Sequence, residues 1–116
     1  MNMKVRKISP SNLSKLLKQE DIFVLDVRPS NYKNRQYLKN TALCPLVLLD
    51  THYQRLPKDK KIVITDPRMK QSPFAHKFLS QQGYDVLGVL KGGVIVWKEK
   101  GFPVEETSSN TIFGEE

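Results

Sequence analysis

"KIVITDPRMKQSPFAHKFL", residues 61–79, decides the fold. Lys61–Thr65 is a short, almost wholly apolar run, which predicts a β-strand buried on both faces. Asp66 to Gln71 is rich in polar and proline residues and predicts a loop. Ser72 and Pro73 then form a cap-then-proline helix start, with Ser72 as the expected N-cap. Phe74, Ala75, Phe78 and Leu79 supply a buried helical face, and Gly83 ends the helix. A strand running directly into a loop and helix places one residue, Asp66, at the mouth. Such loops collect backbone N–H groups that hold an anion, so a carboxylate there demands an explanation.

Outward from this unit the same alternation repeats. "ISPSNLSKLLKQ", residues 8–19, predicts a helix with Ser9 as N-cap, Pro10 at its first position, and Ile8 stapled onto Leu13. Leu13, Leu16 and Leu17 form its apolar face. "DIFVLDV", residues 21–27, is another nearly continuous apolar strand. "RPSNYKNRQYLKN", residues 28–40, is polar and predicts loop with a turn or two of helix. "TALCPLVLLDTHYQRL", residues 41–56, predicts a short strand through Cys44 and then a helix opened by Pro45. "YDVLGVL", residues 84–90, is a strand, "KGG" a tight turn, and "VIVWKEK" a short helix closed by Gly101. Strands alternating with helices predict an α/β domain with a central, mostly parallel β-sheet and right-handed crossovers, flanked by helices on both faces. Ligand sites in such sheets lie beyond the carboxyl ends of the strands, where Asp66 falls.

The 116 residues suit one domain, expected over residues 1–104, with 105–116 as an acidic, flexible tail. A single cysteine, Cys44, excludes an internal disulfide framework and a multi-cysteine metal site, so neither metal nor cofactor is expected. "MNMKVRKISPSNL" has no apolar stretch of the kind a secretory leader needs, and no window approaches a membrane span, which predicts a cytoplasmic protein with no membrane partner. The net charge of +7 is uneven. The last twelve residues carry four glutamates and no base, leaving about +11 on the remainder. That balance favours anionic partners, but the bases are scattered and lack interleaved aromatics, which argues against nucleic acid.

Nearly the whole chain, Ile8 to Val104, resembles a single-domain rhodanese. "VLDVRP" at 24–29 matches the family's early Asp-x-Arg signature, and "YLKNTALCP" at 37–45 is similar to its His-Ile-Pro-Gly-Ala segment ending in proline. "KIVIT" matches the strand before its active loop. "QGYDVLGVLKGGVIVWKEKGFPV" at 82–104 fits the family's Gly-Tyr-x-Val, Gly-Gly, Trp and Gly-x-Pro-Val spacings together. The resemblance implies a sulfurtransferase scaffold, whose active loop reads Cys-Arg-x-Gly-x-Arg-Ser and whose cysteine takes up sulfane sulfur as a persulfide. Carried over position by position, the cysteine falls on Asp66, the first arginine on Pro67, an unspecified position on Arg68, the glycine on Met69, another unspecified position on Lys70, the second arginine on Gln71 and the serine on Ser72. Tyr37 stands where the family usually has histidine, and Asn40 where it has glycine.

A carboxylate is a hard nucleophile that cannot carry sulfane sulfur, and it would occupy an anion cradle itself. The resemblance therefore implies a rhodanese-like domain without its nucleophile, a non-catalytic binding or regulatory module. The alternative is a sulfurtransferase using Cys44, the one thiol, which sits in an apolar stretch where cysteine is usually inert. Arg68 and Lys70 read as a solvated rim or as a docking surface for an acidic protein partner. Asp26 and Arg28 read as a structural tie at the first strand's end, His52 and His76 lack a partner at a spacing that suggests a dyad or metal site, His76 reads as a surface or half-buried residue, and Trp97 as core.

Overall fold

The computed structural model describes residues 4–106. Seven strands, β1 (Lys7–Ile8), β2 (Ile22–Asp26), β3 (Gln36–Tyr37), β4 (Ala42–Leu43), β5 (Lys61–Thr65), β6 (Val86–Leu90) and β7 (Glu105–Glu106), alternate with four α-helices. The helices are α1 (Pro10–Gln19), α2 (Leu46–His52), α3 (Ser72–Gln81) and α4 (Gly93–Glu99), with a 3₁₀ turn at Tyr53–Arg55. Five strands form one sheet in the order β1-β6-β5-β2-β4, and every pairing in it is parallel. β3 and β7 form a separate antiparallel ribbon.

The apolar runs explain the layering. Within β2 and β5 successive side chains face opposite ways, so Leu25, Ile62 and Ile64 join one core while Val24 and Val63 join the other. The first core is covered by Leu49 of α2 and by Ala75 and Leu79 of α3. The second is covered by Leu13 of α1 and by Val94 and Trp97 of α4. Both faces of the sheet are thus sealed, as continuous apolar strands require. Ser9 caps α1 by accepting the Asn12 N–H at 3.1 Å, Pro10 follows, and Ile8 packs in the same cluster as Leu13.

Three local expectations are corrected. Residues 28–40 contain no helix; they carry β3, anchored by Arg28 to the carbonyls of Asn34 and Gln36. The N-cap of α3 is Gln71, and Ser72 is its first residue, because the Ser72 hydroxyl is turned toward Asp66. The strand before Cys44 ends at Leu43, although the Cys44 N–H continues its ladder by donating to the Asp26 carbonyl at 2.9 Å. At the far end, Glu105 and Glu106 pair with Tyr37 and Gln36 in the antiparallel ribbon. The remainder of the expected tail, 107–116, lies outside the described residues. No helix among the described residues is long and apolar enough to cross a membrane.

Candidate functional site

Beyond the carboxyl ends of the parallel strands three loops converge: Val27–Asn31 after β2, Cys44–Pro45 after β4, and Asp66–Gln71 after β5. The last of these winds around a side chain of its own. Asp66 is fully buried, and its Oδ2 accepts the backbone N–H of Lys70 at 2.7 Å and of Gln71 at 2.6 Å. Its Oδ1 accepts the Ser72 hydroxyl at 3.1 Å. Short bonds from N–H groups to a carboxylate are charge-assisted, so the loop conformation and the Asp66 charge stabilise one another. The turn needs a left-handed residue at Met69, whose φ is 61°. Pro67 is buried beneath the loop, while Arg68 and Lys70 are exposed.

The outer side of the same loop holds α4. The Asp66 and Pro67 carbonyls accept the Val94 and Ile95 N–H groups at 2.9 and 3.0 Å, satisfying donors that a helix start leaves unpaired. This contact explains the double glycine in the sequence. A Cβ on Gly93 would lie 2.3 Å from the Pro67 carbonyl oxygen, and its φ is +76°. Only glycine meets both demands.

One strand away stands a second buried carboxylate. Asp26 binds Arg28 through Nε at 2.9 Å and Nη2 at 3.0 Å, and it accepts the Thr65 hydroxyl at 2.9 Å. Burial raises the Asp26 carboxyl above its ordinary pKa, against the opposing hydrogen bonds and charge of Arg28. Arg28 also lies over the Tyr37 ring, 4.0 Å from its centroid. The pair ties β2, β5 and the β3 segment together, the structural role read from the sequence.

Cys44 is 1% exposed, and burial pushes its thiol up to about 11. It belongs to the core cluster with Leu25, Val27 and Leu49. At neutral pH such a thiol holds almost no thiolate. His76 corrects the expectation of a surface or half-buried residue: it is 1% exposed, and its Nε2 accepts the Arg6 N–H at 3.2 Å. Burial and the nearby Arg6 charge lower its pKa below 6.5. The signal for its burial is the helical spacing 72, 75, 76, 79, which puts His76 on the buried face of α3.

Two features leave no signature in the sequence. A groove of about 600 Å³ opens beside the loop, lined by Val27, Pro29, Pro45, Leu46, Val47 and Gln71 among others. Among the described residues Val47 and Phe74 are the large apolar residues left exposed, at 83% and 63%. Phe74 corrects the expectation that it joins the buried face of α3: that face is formed by Ser72, Ala75, His76 and Leu79, and Phe74 lies off it and faces water.

The comparisons with known proteins agree with this architecture. The family model for the rhodanese-like domain matches residues 9–100. A protein of Allochromatium vinosum named sulfurtransferase is 30% identical over 101 residues, covering 86% of this chain and 94% of that protein. The crystal structure of a rhodanese-related protein from Thermoplasma volcanium superposes with a TM-score of 0.80 at 29% identity, covering 88% of this chain and 99% of that one. A thiosulfate sulfurtransferase from Pseudomonas aeruginosa has the same fold, with a TM-score of 0.78 at 24% identity over 93% of this chain and 21% of its own. With its five-stranded parallel sheet, helices on both faces and this match over most of its length, the chain belongs to the rhodanese-like domain family.

Proposed function

We propose that this chain is a rhodanese-like domain without sulfurtransferase activity, acting as a binding or regulatory module through the mouth formed by its Asp66–Ser72 loop. In this reading Asp66 stands where the family's nucleophilic cysteine would stand. The observation that carries it is the Asp66 carboxylate, which is buried and already accepts two loop N–H groups and the Ser72 hydroxyl. An incoming thiosulfate or persulfide would find those donors occupied and a fixed negative charge among them. The position-by-position match draws support from the backbone. Among the described residues only two non-glycines have positive φ, Asn40 at 60° and Met69 at 61°, and both fall where the family pattern has glycine.

The sulfurtransferase name of the Allochromatium relative favours the alternative, sulfur transfer by another residue. That would require Cys44, whose burial and raised pKa disfavour both access and thiolate formation. The module then comprises residues 1–104, with 105–116 appended and β7 joining the two. Its partner face is the groove, exposed Val47 and Phe74, and the basic rim of Arg68 and Lys70, which suits an acidic protein segment carrying apolar side chains. The test is a thiosulfate-to-cyanide transfer assay with the purified protein. No turnover above the buffer blank is expected; turnover abolished by Cys44→Ser would establish the alternative.

A further inference from the structure

We propose a second ligand site, at the opposite end of the sheet from the Asp66–Ser72 loop, which takes a small organic acid: an apolar body ending in one carboxylate. It does not rest on the reading of the loop, because the two places share no residue.

Its place follows from how the sheet ends. β4 pairs with β2 only at Leu25 and Asp26, so Ile22 and Val24 have no strand beside them on that side. Over this stretch a cavity of about 690 Å³ opens between Leu17 of α1 and Phe102 beyond α4. That is on the order of the 300–1,000 Å³ typical of small-molecule sites. Ile22 begins β2 opposite Lys61, the first residue of β5, whereas Asp66 follows the last. The two sites are therefore a strand's length apart, roughly 13 Å.

The cavity has an apolar wall. Leu17, Ile22 and Phe102 pack against the core cluster of Val24 and Trp97 but are themselves only half-buried. The Phe102 ring lies 4.8 Å from the Trp97 ring, and the indole N–H is already donated to the Pro103 carbonyl at 2.8 Å. These two rings thus have apolar surface to offer a ligand and no spare donor. An apolar body seated there removes both its own surface and theirs from water.

The polar groups around that wall select the charge. Glu20 and Asp21 line the cavity, but each is held by a lysine outside it, Lys61 at 2.9 Å and Lys60 at 3.2 Å. Lys18 and Lys39 of the same wall are exposed and have no carboxylate partner among the described residues. The side chains of Ser14 and Asn40 likewise have no hydrogen-bond partner among the described residues. Four lysines are set against two acids, so an anion is attracted and a cation repelled. A single carboxylate suits the two free ammonium groups better than a doubly charged phosphate, which the two acids repel more strongly.

The experiment titrates the ¹⁵N-labelled full chain with hydrocinnamate, a phenyl ring on a short chain ending in a carboxylate. Trp97 is the one tryptophan, so its indole N–H gives a single signal from within the wall. That signal and the amides of Leu17 and Phe102 are expected to move saturably at millimolar concentrations, while Lys70 and Gln71 stay put. Hydrocinnamide, the neutral isostere, should bind about tenfold more weakly. Lys18→Gln with Lys39→Gln should bring the acid down to the affinity of the amide. Shifts that do not saturate overturn the proposal. So does equal affinity of acid and amide, or an acid affinity indifferent to the double substitution, since the cavity is then only an apolar dent. Movement of Lys70 and Gln71 in place of Trp97 would put the acid at the basic rim of the loop, which also overturns this site and leaves the sulfur-transfer assay to decide the reading of the loop by itself.

Discussion

Asp26 and Asp66 are two buried carboxylates at the ends of adjacent strands, and they are stabilised in different ways. Asp26 has a cation: the Arg28 guanidinium meets it with two nitrogens, and the Arg28 backbone N–H and the Thr65 hydroxyl add two further bonds. Asp66 has no cation in contact among the described residues. Its side-chain partners are two backbone N–H groups and one hydroxyl, all from the loop that it closes. The first arrangement is a strut joining β2, β5 and the β3 segment, replaceable in principle by any group that fills the space and satisfies the carbonyls of Asn34 and Gln36. The second is a filled anion cradle. Its donors would serve any anion of suitable size, so the identity of residue 66 decides what the loop holds.

The largest expected effect lies on the Asp26 side. Arg28→Leu leaves a buried carboxylate without its counter-charge and strands the Asn34 and Gln36 carbonyls. The expected loss is about 3–5 kcal/mol, read from urea unfolding. A loss below about 1 kcal/mol would mean that the pair behaves like an exposed one and that the contrast with Asp66 is only geometric.

On the Asp66 side the expected loss is smaller but reversible by ligand. Asp66→Ala removes the acceptor for the Lys70 and Gln71 N–H groups and should cost about 1–3 kcal/mol. Sulfate should return part of it, because the vacated donors take an anion, while the unaltered protein should gain nothing specific from the same salt. Equal stabilisation of both proteins by sulfate would sink the self-filled cradle.

Asp66→Cys sharpens the comparison further. Met69 already holds the loop curled with its φ of 61°, so a thiol at residue 66 should face the Lys70 and Gln71 N–H groups. Its pKa should fall below the reference value of about 8.5, seen as rapid alkylation near neutral pH. Sulfurtransferase activity should be weak, and Met69→Gly with Gln71→Arg should raise it. A thiol that titrates like free cysteine even in the triple variant would show that the loop donors do not serve residue 66.

The smallest effect concerns His76, a buried ionisable group whose pKa is lowered by burial and by the nearby Arg6 charge. Its folded pKa lies below 6.5, so the unfolded chain takes up a proton first as the pH falls. The stability associated with neutral His76 is therefore complete above about 6.5 and is lost as the pH drops from there through the folded pKa. His76→Gln keeps an acceptor for the Arg6 N–H and should flatten that part of the profile. A wild-type profile that coincides with the variant's between pH 5 and 7 would place the dependence elsewhere.

Elements with long, regular patterns are legible in the residues themselves. The five-residue apolar strands β2, β5 and β6 and the capped helix α1 carry enough residues for burial to leave a period or an unbroken run. The two-residue strands β1, β3 and β7 carry none, and only the neighbours that pair with them define them. Ser72 departs from its expected place as a cap for a related reason. A serine hydroxyl before a proline can cap its own helix or serve another group, and the choice depends on Asp66, six residues earlier, being folded back within reach. At His76 polarity argues for the surface and helical phase for the core, and the phase wins because both ring nitrogens find partners, Nε2 the Arg6 N–H and Nδ1 the Ser80 hydroxyl.

The candidate loop divides in the same way. From the sequence alone came its position beyond a buried strand, the carboxylate at its mouth, and the resemblance that makes that carboxylate conspicuous. These are local properties: apolar content, loop length and residue type are written residue by residue. Only the tertiary structure decided that Asp66 turns inward and is saturated by Lys70, Gln71 and Ser72, and that Gly93 must be glycine because the Pro67 carbonyl presses against it. It alone left a groove open beside Val47. Hydrogen-bond satisfaction, close approach and exposure depend on distances between segments far apart in the chain, and no local pattern encodes them.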